Sequence, residues 1–148
     1  MPARVLVADN LAARLELIKE ALELAGFSVL AAEDGVECLL KAQFERPDLV
    51  IMEANMPAMG GMQVVRAMRG RPETKRVPII LLTREAEHGK GPAGFVAGDV
   101  LCLQKPLRLG ALVEAAESML AGPEAPAREE PEGRATARPG RIPVGSKR

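Results

Sequence analysis

The chain has 148 residues, 47% hydrophobic and 27% charged, with 20 Lys and Arg against 20 Asp and Glu. That length holds one domain and a remainder, and a formal charge of zero excludes a global field drawing it to nucleic acid or a membrane surface. No apolar run reaches the ~18 residues of a membrane span, and Arg4 leads straight into structured sequence instead of a signal peptide, so a cytoplasmic location is expected.

Residues 4–8 are apolar without alternation, the pattern of a strand covered on both faces. The run ends at Asp9 and Asn10, and Asn10 is placed to cap a helix. Leu11, Leu15, Ile18, Leu22 and Ala25 form one face of that helix, which Gly26 stops. Arg14 and Lys19, interspersed with Glu16, Glu20 and Glu23, read as an ordinary solvated face. Residues 27–32 read as a short strand. A second helix is expected from about Gly35 to Glu45, capped by Asp34, with Val36, Leu39 and Leu40 inward and Pro47 behind it.

The strand 49–52 runs into Glu53 and a loop containing Met56-Pro57 and Gly60-Gly61. Met62, Val65 and Met68 mark a third helix closing near Gly70 and Pro72, with Met56 and Met59 packing beside it. The strand 77–82 runs into Thr83. A fourth helix is due next, but Gly89, Gly91, Pro92 and Gly94 interrupt it. Each interior Gly costs about 1 kcal/mol and Pro about 3 kcal/mol, so the segment is expected to be degraded into a loop or a turn. The single histidine, His88, reads as a solvent-exposed residue there. The strand 100–103 leads to Lys105, and the last helix, about Leu107 to Leu120, turns Leu109, Leu112, Val113, Ala116 and Leu120 inward.

Five strands alternating with helices over residues 1–121 define an α/β sandwich on a parallel sheet. Residues 122–148 carry five prolines and no apolar periodicity, and are expected to be a disordered tail. From Gly133 the tail is basic (Arg134, Arg138, Arg141, Lys147, Arg148), but without aromatics to stack on bases it argues little for nucleic acid. Cys38 and Cys102 read as reduced core thiols, and no Cys/His spacing suggests zinc. Strand carboxyl ends of a parallel sheet share one edge, where ligands bind. Asp9, Glu53, Thr83 and Lys105 are therefore expected to meet in one pocket.

Those residues and their loops resemble the response regulator receiver domain of two-component signalling over residues 3–121. Val5-Leu6-Val7-Ala8-Asp9-Asn10 is similar to the family's first strand and acidic pair. Residues 46–57, through Met52-Glu53-Ala54-Asn55-Met56-Pro57, resemble its phosphoacceptor strand and Met-Pro loop, with Gly61 as the loop glycine. Val77 to Thr83, Ala97-Gly98 and Lys105-Pro106 match the remaining elements. The resemblance implies a flavodoxin-like, three-layer sandwich with strand order 2-1-3-4-5 and a cis Lys105–Pro106 peptide.

It also implies a departure from the family's chemistry. Receivers take a phosphoryl group from a phosphohistidine onto an aspartate, with Mg²⁺ neutralising charge. Here the phosphoacceptor position is Glu53, whose extra methylene carries the carboxylate about 1.5 Å further out and spoils an in-line attack. Asn10 replaces the second acid, and Asn55 offers a backbone carbonyl. Asp9, Asn10, Glu53 and Asn55 thus form a degenerate acidic pocket with no metal, or weak Mg²⁺ at Asp9 and Glu53. Thr83 and Lys105 are the phosphoryl-contact equivalents, and Cys102 stands where the family has a switching aromatic.

Glu53 has three readings: a solvated residue of a degenerate pocket, a fixed charge reaching Lys105, or a working phosphoacceptor. The expected function is a stand-alone, atypical receiver. It would act as a phosphorylation-independent protein-interaction module in bacterial signalling, without catalysis or cofactor. Its partners would be signalling proteins of unknown identity, a homodimer being left open and a membrane excluded. A functional Mg²⁺-dependent receiver and a tail-mediated nucleic-acid binder are the alternatives. No GxxxxGK[ST], GxGxxG or nucleophile elbow supports a nucleotide-using or hydrolytic enzyme.

Overall fold

A computed structural model describes residues 2–84 and 100–121. Along the chain run β1 (Arg4–Ala8), α1 (Ala12–Leu24), β2 (Ser28–Ala32), α2 (Gly35–Glu45), β3 (Leu49–Glu53), α3 (Gly61–Arg69), β4 (Ile79–Thr83), β5 (Val100–Gln104) and α4 (Leu109–Ala121). The expected degraded helix, His88 and the tail from Gly122 lie outside the described residues.

The strands form one parallel sheet in the order β2-β1-β3-β4-β5, the expected flavodoxin-like arrangement. Because side chains alternate across a strand, each central strand feeds two cores. Leu6, Ala8, Val50, Met52, Ile79 and Leu81 face one side, where Cys38 and Ala42 of α2 and Val64, Val65 and Met68 of α3 cover them. Val5, Val7, Leu49, Ile51, Ile80 and Leu82 face the other, against Leu15, Ile18 and Leu22 of α1 and Leu112 and Ala116 of α4. All five residues of β3 and of β4 are buried. Burial on both faces is why these runs show no polar alternation.

The loop methionines pack as expected. Met56 and Met68 are buried, and Met59 and Met62 lie partly buried against the same core. Asp34 caps α2, its Oδ1 accepting from the Glu37 N–H at 2.8 Å. The Lys105–Pro106 peptide is cis, as the resemblance implied.

Three local expectations are corrected. Asn10 does not cap α1: the N-cap is Leu11, without a side-chain cap, and Asn10 is exposed. Leu11 itself is exposed, so the inward face of α1 begins at Leu15. On α2, Val36 and Leu40 point outward, in line with the exposed Phe44 at steps of four. The buried residues of that helix are Gly35, Cys38 and Ala42, whose small size lets α2 lie close to the sheet and α3.

Burial pushes the Cys38 thiol up to about 12, with nearby Glu37 and Asp34 adding to the shift. The unfolded thiol ionises near 9.0, so between 9.0 and about 12 the folded chain holds a proton that the unfolded chain releases. This contribution is fully present below pH 9 and is lost as pH rises through that window. Urea unfolding from pH 8 to 11 should therefore show a steeper alkaline fall for the wild type than for Cys38→Ala. Parallel curves would refute a buried neutral thiol.

Candidate functional site

The carboxyl ends of β1, β3 and β4 place Asp9, Glu53 and Thr83 on one sheet edge, and Lys105 follows β5 there. Asp9 and Glu53 are each 1% exposed and Thr83 is 2% exposed. The edge therefore carries two ionisable carboxylates that are almost dry, and each needs its charge compensated.

Lys105 compensates one of them. Its Nζ stands 2.5 Å from Glu53 Oε1, and Glu53 Oε2 accepts the Asn55 backbone N–H at 3.1 Å. Asn55 thus supports the pocket through its backbone N–H. Parallel register sets Glu53 beside Leu82, and the Lys105 N–H donates to the Thr83 carbonyl at 2.9 Å, fixing the chain that carries the ammonium.

The second compensating charge comes from a residue that sequence reasoning placed on a solvated face. Arg14, in the first turn of α1, folds back over the end of β1. Its Nε and Nη2 donate to Asp9 Oδ2 at 2.5 Å and Oδ1 at 3.0 Å, and Nη2 also donates to Glu53 Oε1 at 3.2 Å. Asp9 Oδ1 additionally accepts the Leu11 N–H at 2.9 Å. Hydrogen bonding to the Asp9 carboxylate raises the Arg14 pKa above its ordinary value against the opposing effect of burial, and the charges of Asp9 and Glu53 add to the rise. The missed signal was positional. Helix side chains lean toward the amino terminus, so a long cation one turn into the helix after β1 reaches back to the strand end.

Thr83, Asn10 and Cys102 complete the predicted set. The Thr83 hydroxyl donates to the Arg84 carbonyl at 3.3 Å, although the side chain lies at the same edge. Asn10 is exposed. Cys102 is half-buried in β5, opposite Leu81 in register, and packs on the core shared with α2 and α3. Neither cysteine is in a disulfide.

Mg²⁺ asks for octahedral oxygen ligands at about 2.0–2.1 Å, usually including one or two carboxylates. Both Asp9 oxygens and both Glu53 oxygens are already turned to N–H donors or cations. Among the described residues no group of three or more His, Cys, Asp or Glu could hold a metal ion. As arranged, the acids do not fit a divalent cation.

A 2-1-3-4-5 parallel sheet with an acid pair, a hydroxyl and a lysine along its carboxyl edge defines the receiver class of α/β protein. The family model for the response regulator receiver domain matches residues 5–117, and the chain belongs to that family. It is 35% identical over 133 residues to the response regulator MprA of Mycobacterium sp. (strain KMS), covering 86% of this chain and 57% of that protein. The chain therefore spans somewhat more than half the length of that relative. The chemotaxis response regulator CheY4 of Vibrio cholerae superposes with a TM-score of 0.69 at 32% identity, covering 80% of this chain and 98% of its own. A response regulator receiver domain protein from Clostridium thermocellum gives 0.70 at 28% identity, covering 80% and 94%. No helix among the described residues is long and apolar enough to cross a membrane.

Proposed function

We propose that this chain is an atypical receiver domain that works in two-component signalling as a protein-interaction module, without being phosphorylated. The observation that carries the reading is the 2.5 Å ion pair between Lys105 Nζ and the buried Glu53 carboxylate. In a phosphorylatable receiver the lysine would hold a phosphoryl oxygen. Here the longer glutamate side chain brings a carboxylate to the lysine directly, so one negative charge is held at Lys105 without a transferred group.

Nucleophilic attack requires a carboxylate oxygen free to approach phosphorus in line. Glu53 Oε1 is engaged by two cations and Oε2 by a backbone N–H, which opposes that approach. Cys102 supports the same reading. A small thiol packed against the core has no large buried-to-exposed excursion with which to report a charge change. The partner would be another cytoplasmic signalling protein, a histidine kinase being the first class to test.

Incubation with acetyl phosphate and Mg²⁺ followed by intact-mass measurement should leave the wild type unmodified. Captured from lysate, a partner should bind the wild type and lose most of its affinity for Glu53→Gln, which keeps the shape and removes the charge. A phosphoryl mass gain on the wild type, or equal capture by the wild type, Glu53→Asp and Glu53→Gln, would sink the proposal.

A further inference from the structure

We propose that Arg14 is the resident cation of this pocket, its guanidinium bridging Asp9 and Glu53 where a phosphorylatable receiver would hold a divalent metal ion. The inference deepens the Glu53 reading by naming what balances the second buried acid. It stands first on the fork geometry. Nε and Nη2 meet the two oxygens of Asp9 at 2.5 and 3.0 Å, and Nη2 reaches Glu53 at 3.2 Å.

Charge arithmetic supports it. Asp9 and Glu53 supply two negative charges, and Arg14 and Lys105 supply two positive ones. With Asn10 in place of an acid, a divalent ion added to this set would leave the pocket carrying two uncompensated positive charges at low dielectric. A guanidinium is also permanent: it stays charged at any working pH, and its planar fork matches a carboxylate on both oxygens. It is tethered, so an incoming metal must displace a group already present at high effective concentration. The Arg14 side chain is 26% exposed while the Asp9 side chain is fully covered, so the guanidinium closes the pocket from the solvent side. The pocket's state is thereby uncoupled from the divalent-cation level.

Mn²⁺, read by paramagnetic broadening of the Asp9, Glu53 and Lys105 amide signals, is the probe, because the chain has no tryptophan or tyrosine to report by fluorescence. Full-length wild type is compared with Arg14→Met, which keeps the apolar stem and removes the fork, and the same pair is made on an Asn10→Asp background. Arg14→Met should bind Mn²⁺ at least about tenfold more tightly than its parent in one or both backgrounds. Equal affinities in both, including no binding in either, overturn the proposal.

Should Arg14→Met fail to fold, the melting temperature of the wild type with and without millimolar Mg²⁺ decides. No change supports the proposal, and a rise of several degrees overturns it, because a ligand bound only to the folded state must stabilise it. The outcome is separable from that of the Glu53 reading. A wild type that binds Mn²⁺ more weakly than Arg14→Met yet binds its partner no better than Glu53→Gln keeps the Arg14 assignment and loses the other.

Discussion

Lys105→Met should lower the unfolding free energy by about 3 kcal/mol, the low end of what removing one partner of a buried ion pair costs. Glu53 would keep its carboxylate in a site where it is 1% exposed, held by Arg14 at 3.2 Å and the Asn55 N–H at 3.1 Å but without the ammonium. The low end applies because the lysine side chain is 20% exposed and its charge is partly solvated already. Adding Glu53→Gln to Lys105→Met should recover part of the loss, since the double variant no longer buries an unbalanced charge. Urea unfolding followed by far-ultraviolet circular dichroism measures both. A single-variant loss well under 1 kcal/mol would mean that the ion pair does not organise the edge.

Gly35→Ala should cost about 3 kcal/mol, the upper part of the overpacking range. A Cβ on Gly35 would lie 2.0 Å from the Met59 carbonyl oxygen and 2.9 Å from its carbonyl carbon and Cβ. Backbone opposes backbone at this point, so no rotamer change relieves the overlap; either α2 or the loop after Glu53 has to move. Helix propensity pulls the other way, favouring alanine over glycine by about 1 kcal/mol. The clash is the larger effect. Gly110 in α4 is the control: nothing lies within 4 Å of its added Cβ, so Gly110→Ala should be neutral or mildly stabilising. Similar urea midpoints for the two variants would refute the close approach of α2 to that loop.

Much of the scaffold was legible because the signals were local. Unalternating apolar runs marked strands covered on both faces, and the structure buries all of β3 and β4. Asp34 ahead of a helical pattern marked a cap, and its side chain accepts from Glu37 N–H. The meeting of Asp9, Glu53 and Lys105 followed from one topological rule, since parallel strands share a carboxyl edge.

The failures shared a cause: each turned on a neighbouring group whose placement the local pattern does not show. On α2, Val36, Leu40 and Phe44 form as regular a stripe as Gly35, Cys38 and Ala42 do, and bulk favoured the first. The sheet and α3 accept the small face, leaving the bulky residues outside. Asn10 was suited to capping by type, but Asp9 takes the Leu11 N–H instead, and Asn10 is left exposed. Gly35 looked like a helix start, and nothing near it in the chain foretold the carbonyl of Met59.

By itself, then, the sequence determined the class of fold and which acids, hydroxyl and lysine share its edge, because strand polarity and period are properties of neighbours in the chain. Only the tertiary structure decided what those groups do with their charge. Arg14 lies five residues from Asp9 but thirty-nine from Glu53, and it joins them because α1 packs against the sheet and aims its first turn over the strand end. The electrostatic balance of a buried pocket depends on distances across the fold, and composition does not contain them.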